Sequence, residues 1–276
     1  MKHLTEFVEQ IDALAFVPTM GALHDGHLAL IKQARESCES SKRVLVSIYV
    51  NPTQFESVDD LARYPKTLSR DLELAQDAGA DYLWTPSVHE IYPEGLANVS
   101  LISAGPLGDL YEGASRPQHF SGVLTVINRL FTITKPECAI FGEKDFQQLF
   151  LIQKFAQEKF PNIEIVAGQT VRDENGIALS SRNLRLSPEE MQIARVLPRT
   201  RELALGAETI GKLRELLRGE LSREPGFTLD YVEVVNPSTL LPVSNDFQGA
   251  VQVLIAGWIG SVRLIDNFAF TVKEQR

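Results

Sequence analysis

The sequence predicts an α/β fold, with a parallel sheet in an N-terminal domain followed by a smaller α+β domain. In the first half of the chain, short apolar runs alternate with segments of helical period, which is typical of βαβ units on a parallel sheet. Near residue 183 the pattern changes to helices followed by β-rich runs between Asn-Pro and Gly turns. We therefore predict two domains, at 1–183 and 184–276.

The strands of the first domain are predicted from short runs rich in apolar, β-branched and aromatic residues. The first covers 13–17 and precedes a helical segment over 27–38. Further strands are predicted over 44–50, 81–84, 138–141 and 163–166, and further helices over 68–78, 120–133 and 148–158.

The second domain opens with a strong helix start at Ser187. Pro188 takes the first helical position, and Glu190 can complete a capping box with the Ser187 hydroxyl. After these helices, strands are predicted over 230–235, 250–255 and 261–267.

Composition limits the partners and the compartment. The formal net charge of −9 argues against general nucleic-acid binding, which depends on Lys and Arg contacts to phosphates. Cys38 and Cys138 belong to no CxxC or Cys/His cluster, which fits a reducing, cytoplasmic compartment. The N-terminus lacks a signal-peptide pattern, and no apolar run is long enough for a membrane helix. We expect neither a nucleic-acid partner nor a membrane.

The most informative stretch is PTMGALHDGH at 18–27, between the first strand and the first helix. In a doubly wound sheet this turn meets the phosphates of a ligand, and Gly21 and Gly26 permit a tight backbone. His24 and His27 are three residues apart, so they share one face of a helix and both can donate N–H bonds to phosphate. A zinc site on the two histidines is a weaker alternative, because no third ligand has a recognisable spacing.

Two further strands are followed by polar residues. Asn51 and Gln54 follow the strand over 44–50, and they meet a small ligand if the strand ends line the crevice; the alternative is a plain Asn-Pro turn. Lys144, Asp145 and Gln148 follow the strand over 138–141 as candidates for phosphate, ribose and polar contacts, against the alternative of a solvated charged turn.

Two hydroxyls stand beside an arginine in Leu179-Ser180-Ser181-Arg182-Asn183. Ser180, Ser181 and Arg182 suit an oxyanion such as a triphosphate, because guanidinium and hydroxyl groups bind phosphate oxygens. Taken alone, the segment is more typical of an ordinary surface loop.

Together, PTMGALHDGH, VNPTQF, RPQHFSGVLTV, GEKDFQQL and LSSRNLRLS closely resemble the pantothenate synthetases, which are pantoate–β-alanine ligases. The resemblance runs from about residue 16 to about residue 195 and continues more loosely beyond. HxGH alone indicates only the wider nucleotidylyltransferase superfamily. The resemblance implies a Rossmann-like N-terminal domain, a C-terminal lid domain, a homodimer, and the substrates ATP (with Mg²⁺), pantoate and β-alanine.

The resemblance also implies which residues bind the substrates. Pantoate is assigned to two amides and an apolar wall: Gln54, Gln148, Met20, Val123 and Val126. ATP is assigned to Met20, His24, His27, Gly142, Lys144, Asp145, Ser180, Ser181 and Arg182. Among these, the groups expected to stabilise charge in catalysis are His24, His27, Lys144 and Arg182. Asn51 and His119 also match family positions, and no Mg²⁺ ligand is predicted.

The implied activity is condensation of pantoate with β-alanine through an adenylate. The alternatives are another adenylyl transferase of the superfamily, a relative of class I aminoacyl-tRNA synthetases, and a non-catalytic nucleotide-binding module. The chain departs from the family in two ways: Arg129 stands where Lys is frequent, and the segment before the first strand is short. Because this segment is short, the sequence does not predict which strand forms the edge of the sheet.

Overall fold

The computed structural model describes residues 1–7, 10–37, 43–55, 61–62 and 64–272. Cys38, and with it the end of the helix predicted over 27–38, lies outside the described residues. The chain forms two compact units, which the following paragraphs treat separately. The first comprises Met1–Glu143 and Gln147–Gln169, and the second comprises Lys144–Phe146 and Thr170–Arg276.

A parallel sheet forms the centre of the first unit. Its strands among the described residues are β1 (Lys2–Leu4), β2 (Leu14–Thr19), β3 (Arg43–Ile48), β4 (Tyr82–Trp84), β5 (Cys138–Gly142) and β6 (Glu164–Gly168). They lie in the order β1-β4-β3-β2-β5-β6, and every pairing is parallel. Because β2 has β3 on one side and β5 on the other, the chain reverses its direction of winding there. Ligands of open α/β sheets bind at this point, outside the carboxyl ends of the strands.

The short N-terminal segment supplies the edge of this sheet. Lys2–Leu4 pairs in parallel with Tyr82–Trp84, and the Lys2 amide donates to the Asp81 carbonyl at 2.8 Å. Sequence analysis did not predict this strand, because three residues with two charged or polar side chains show no apolar alternation.

Helices cover the sheet and bury its two faces. Within the described residues of this part of the chain they are α1 (Asp25–Ser37), α2 (Leu68–Asp77), α3 (Val88–Ile91), α4 (Glu112–Ser115), α5 (His119–Thr134) and α6 (Phe146–Lys159). Leu14 and Phe16 of β2 enter one buried cluster, while Ala15 and Val17 enter another. This alternation follows from the two-residue period of a strand and shows that the sheet is buried on both faces.

The second unit is an antiparallel sheet with helices. Its elements are α7 (Pro188–Ala194), α8 (Val196–Ala204), α9 (Ile210–Arg223), β7 (Phe227–Val235), β8 (Gly249–Ile259) and β9 (Val262–Val272), and the strands lie in the order β7-β8-β9. Ser187 caps α7 in the predicted capping box with Glu190. The α/β and α+β classes are therefore both confirmed, although the strands run several residues beyond the predicted bounds.

The division between the units falls after Gln169, earlier than the predicted boundary at 183/184. The segment that precedes α7 bonds to β9: the Arg172 guanidinium donates to the Asp266 carboxylate and to the Asn267 carbonyl. Sequence periodicity marks the start of α7, but it cannot detect a bond between residues 94 positions apart. No helix among the described residues is both long and apolar enough to cross a membrane.

Candidate active site

The turn from β2 to α1 lies at the reversal point of the sheet and has a constrained backbone. Gly21 has φ +83°, and a Cβ there would lie 2.9 Å from Ile48 Cγ2, so glycine suits this position in both conformation and space. The Thr19 hydroxyl donates to the Ser47 carbonyl at 2.7 Å and accepts from the Gly21 amide at 3.2 Å. The turn is thereby tied to the end of β3.

A buried carboxylate of α2 fixes the next two residues of this turn. Asp71, which is 1% exposed, accepts from the Ala22 amide at 3.0 Å and the Leu23 amide at 2.9 Å. The Thr67 hydroxyl donates to the same carboxylate at 3.1 Å. Sequence analysis missed Asp71, because an acid in the first turn of a helix is usually a solvated N-terminal residue.

His24 and His27 lie side by side, with ring centroids 4.1 Å apart. Nδ1 of His24 accepts from the Gly26 amide at 3.2 Å, and Nδ1 of His27 accepts from the His24 amide at 3.3 Å. A ring nitrogen that accepts an N–H bond carries no proton, so each neutral ring has its proton on Nε2. The pair therefore presents Nε2–H groups, the donors that bind phosphate oxygens.

The backbone of this turn is engaged within the protein. The amides of Gly21, Ala22 and Leu23 donate to Thr19 or Asp71, and the amide of His27 donates to the His24 carbonyl at 2.7 Å. These amides are therefore engaged within the protein and are not phosphate donors in this structure. The histidine side chains are the donors that the turn offers instead.

Polar residues after β3 order the backbone. Asn51 is buried; its Nδ2 donates to the Gly122 carbonyl at 3.2 Å, and its Oδ1 accepts from the Tyr92 hydroxyl at 2.9 Å. The carbonyl of Gln54 accepts from Arg116 at 3.2 Å and from His119 Nδ1 at 3.0 Å. Asn51 and His119 are therefore bonded to protein groups, whereas the half-buried Gln54 amide remains the predicted pantoate contact.

The apolar residues predicted for pantoate differ in exposure. Val123 and Val126 lie in α5 and belong to the same buried cluster as Tyr49. Met20 directly follows β2 and is half-buried. Burial raises the pKa of the Tyr49 phenol, with the neighbouring Tyr92 as a further cause, so Tyr49 stays neutral in this apolar region.

Lys144 follows β5, in the unit that also contains β9. Its Nζ is 3.9 Å from Asp145 Oδ1, and its side chain is 19% exposed, against 48% for Asp145. Asn267 Nδ2 donates to the Lys144 carbonyl at 2.8 Å. Gly142 ends β5, and a Cβ there would meet only Leu30 at 3.8 Å.

The two neighbouring glutamines at the start of α6 have different roles. Gln147 is buried; its amide donates to the Leu107 carbonyl at 2.9 Å and the Leu110 carbonyl at 2.8 Å, and its Oε1 accepts from the Glu112 amide at 3.1 Å. Gln148 is half-buried, and it is the residue predicted for pantoate. Gln147 therefore has a structural role, because its side-chain amide bonds to three main-chain groups.

Ser180 caps a short 3-10 helix, Ser181–Arg185, by accepting from the Arg182 amide at 3.2 Å. Ser180, Ser181 and Arg182 are all half-buried, and the 3-10 helix contacts β9. Of the predicted ATP residues, Met20, His24, His27 and Gly142 belong to the first unit. Lys144, Asp145, Ser180, Ser181 and Arg182 belong to the second.

Comparison with known proteins identifies the family. The family model described as Pantoate-beta-alanine ligase matches residues 1–269, almost the whole chain. The chain belongs to this ligase family. Its members ligate pantoate with β-alanine, so the resemblance inferred from the motifs is confirmed.

Relatives of this ligase family align over nearly their full length. Pantothenate synthetase of Thermus thermophilus is 45% identical over 260 residues, covering 93% of this chain and 92% of the relative. The same enzyme of Shewanella denitrificans is 41% identical over 265 residues, covering 95% and 93%.

Solved structures of the ligase family share the fold. The crystal structure of Thermus thermophilus pantothenate synthetase has a TM-score of 0.89 at 42% identity and covers 97% of this chain and 99% of that chain. Pantoate-beta-alanine ligase of Francisella tularensis, solved in complex with beta-gamma ATP and beta-alanine, has a TM-score of 0.77 at 34% identity and covers 97% of both chains.

Proposed function

We propose that this ligase condenses pantoate with β-alanine in two steps, through a pantoyl adenylate, and releases pyrophosphate and AMP. The observation that carries the proposal is the pair His24 and His27 at the reversal point of the sheet, with both Nδ1 atoms accepting backbone N–H bonds. This tautomer suits a site for phosphate groups. Family membership supplies the substrates.

In the first step, a pantoate carboxylate oxygen forms a bond to the α-phosphorus of ATP, and the bond from that phosphorus to the bridging oxygen breaks. Pyrophosphate leaves with the electron pair. Negative charge grows on the phosphates, and donors aimed at that charge lower the barrier. We assign this role to the Nε2–H groups of His24 and His27, the Lys144 ammonium and the Arg182 guanidinium.

In the second step, the β-alanine amine attacks the acyl carbon of the adenylate and loses a proton. The acyl C–O bond breaks, and AMP leaves with the electron pair. No protein nucleophile is needed, because the two substrates react with each other once they are positioned. Gln54 and Gln148 are proposed to orient pantoate through its polar groups.

Magnesium is proposed to enter with ATP and to neutralise part of the phosphate charge. The described part of the chain contains no group of three or more His, Cys, Asp or Glu side chains arranged to hold a metal by itself. Such an all-protein cage is not required, because Mg²⁺ commonly binds through substrate phosphates and water, with one or two carboxylates. Asp145, half-exposed beside Lys144, is the carboxylate predicted for the ribose, and no side chain is assigned to Mg²⁺.

The second unit is proposed to act as a lid. An acyl adenylate is labile in water, so a segment that excludes water protects it. Two observations support this role: the second unit is compact by itself, and it includes Lys144 and the segment 180–182. A lid that carries phosphate-binding groups would couple closure to ATP binding.

A homodimer in the cytoplasm completes the proposal. Both statements rest on the family resemblance, and the cytoplasm supplies the ATP that the reaction consumes. Light scattering of the purified chain tests the dimer: a mass near twice 30.7 kDa is expected, and a monomer at micromolar concentration contradicts it.

The decisive experiment measures pyrophosphate and AMP release from ATP and Mg²⁺, with and without each acid and amine substrate. Sustained AMP release is expected only with both pantoate and β-alanine. Pantoate-dependent exchange of labelled pyrophosphate into ATP without β-alanine is expected from the adenylate. AMP release without pantoate would favour another adenylyl transferase of the superfamily, and binding of ATP without turnover would favour a non-catalytic module.

A further inference from the structure

Asn267 in β9 is bonded through every polar group that it has. Its side-chain Nδ2 donates to the Lys144 carbonyl at 2.8 Å, and its Oδ1 accepts from Gln252 Nε2 at 2.6 Å. Its amide donates to Asp266 at 2.8 Å, and its carbonyl accepts from Arg172 at 3.1 Å. The residue is buried. A buried amide with all partners in place adopts a single orientation, so it fixes the main chain of Lys144.

The preceding residue, Asp266, is tied to the other predicted phosphate-binding segment. Its carboxylate, 1% exposed, forms two 2.8 Å bonds with the Arg172 guanidinium. Arg172 pairs with Ala178 in an antiparallel bridge, and the same guanidinium donates to the Gly176 carbonyl at 3.1 Å. This hairpin leads directly into the segment 180–182.

We propose that Asp266 and Asn267 are positioning residues that hold Lys144 and the segment 180–182 as one preformed phosphate-binding group. The proposal rests on the proposed function, because it assumes that Lys144 acts on the phosphates of ATP. Neither residue is proposed to touch the substrate. Each acts through another residue: Asn267 through Lys144, and Asp266 through Arg172 and the hairpin.

The physical basis is preorganisation. A long lysine side chain stabilises a developing charge best when its main chain is already fixed, because the protein then does not reorganise during the reaction. Misplacement of a charged group by about 1 Å can lower a rate by about 100-fold. Loss of the Asn267 bond loosens only the main chain of Lys144, so a smaller loss is expected than from loss of the lysine itself.

The test is a double-mutant cycle between Asn267→Leu and Lys144→Ala, measured as pantoate-dependent pyrophosphate exchange and as overall kcat. Leucine has the same number of side-chain heavy atoms and the same branch at Cγ as asparagine, and it adds no charge. We expect Asn267→Leu to lower kcat about tenfold, with the KM for β-alanine unchanged. In the Lys144→Ala background the same change should cost less than about twofold, because residues that act as one unit are not additive.

Matched variants separate positioning from general destabilisation. Thr200→Val removes a buried bond from the Thr200 hydroxyl to the Val196 carbonyl, 2.6 Å long, within a helix of the same unit; it should leave kcat unchanged, because this bond joins neither Lys144 nor Asn267. Gln252→Met removes the bond from Gln252 Nε2 to Asn267 Oδ1 and keeps the bond from Asn267 Nδ2 to the Lys144 carbonyl. It should lower kcat a few-fold, and this loss should also vanish in the Lys144→Ala background, which keeps the test decisive if Asn267→Leu does not fold.

Additive losses, or a normal kcat in folded Asn267→Leu, would overturn the positioning role. The proposed function fails separately. A wild-type chain without pantoate-dependent exchange contradicts the ligase, and a normal kcat in Lys144→Ala contradicts the role of that lysine whatever Asn267 does.

Discussion

Two parts of the predicted ATP site are built by opposite hydrogen-bonding chemistry. After β2, a carboxylate accepts from two backbone amides: Asp71 bonds Ala22 and Leu23 from 49 and 48 residues away. After β5, an amide donates to a backbone carbonyl: Asn267 bonds Lys144 from 123 residues away. In both parts a buried side chain from a distant element fixes the main chain of a residue in or beside a short polar motif.

The difference shows how each part can bind an anion. The carboxylate in the first part occupies backbone amides that could otherwise bind phosphate, and the two histidine rings of the same turn carry N–H groups. The second part has formal positive charge, from Lys144 and Arg182, and the buried Asn267 and the half-buried Ser180 bond to the backbone of these two residues. We infer that the histidines orient the phosphates through directional hydrogen bonds, whereas the lysine and arginine stabilise the phosphates through their positive charge.

The largest expected effects come from replacing one proposed phosphate-binding side chain in each of the two parts. His24→Ala and Lys144→Ala should each lower kcat by about 10²–10³, because each removes one preorganised donor to the developing charge. Steady-state release of AMP and pyrophosphate measures both. Both losses should persist at saturating ATP, because kcat does not depend on the affinity for ATP.

His89→Ala and Lys154→Ala are the controls for these variants, since both replace exposed side chains of α3 and α6. They should keep the wild-type kcat. Near-normal turnover in His24→Ala or in Lys144→Ala would contradict the role assigned to that residue.

Asp71→Asn should have the next largest effect. One of its two oxygens becomes an NH₂ group that faces a backbone amide, so a buried N–H loses its partner at a cost of about 1–3 kcal/mol in the free energy of unfolding. The loosened turn should also lower kcat about ten- to a hundredfold. Urea unfolding and the release assay measure the two effects.

Thr67→Val is the matched control for Asp71→Asn. It removes the hydroxyl that donates to the Asp71 carboxylate but leaves both backbone amides bonded. A loss of activity as large as that of Asp71→Asn would contradict the view that the carboxylate acts by fixing the amides of the turn.

Elements with a local sequence signal lie where the sequence predicts them. The strand before His24, the helix after it and the capping box of Ser187 all follow from short-range patterns, and the motifs identified the family. Asp71 and Asn267 were missed, since a helical acid and a strand amide have no pattern that marks them as buried partners of a loop. The bond from Arg172 to Asp266, which joins the segment before α7 to β9, is equally long-range and has no local pattern either.

Gly26→Ala sharpens the comparison within the first part. A Cβ on Gly26 would lie 2.9 Å from His24 Cε1 and 3.0 Å from Nδ1, so the ring must move. We expect kcat to fall about tenfold. Stability should not fall, because alanine favours a helix over glycine by up to about 1 kcal/mol, and Gly26 is the second residue of α1. A lower melting temperature together with lower activity would point to damage of the helix instead.

The smallest expected effect on activity separates the neighbouring glutamines. Gln148→Leu should raise the KM for pantoate about three- to tenfold, the worth of one neutral hydrogen bond at about 0.5–1.5 kcal/mol, and should leave the free energy of unfolding unchanged. Gln147→Leu should do the reverse. It leaves the carbonyls of Leu107 and Leu110 without their donor, at a cost of about 1–3 kcal/mol in stability, while the KM for pantoate stays near wild type.

The pair is informative because the two residues differ in burial and not in side-chain chemistry. Initial rates over a range of pantoate concentrations, beside urea unfolding of both variants, give the two quantities. A raised KM for pantoate in Gln147→Leu with normal stability would mean that Gln147, and not Gln148, contacts pantoate. Asn267 and Gln147 are both regarded as supporting residues because their buried side-chain amides bond to main-chain groups. That result would mean that such bonds do not distinguish a supporting residue from one that contacts the substrate.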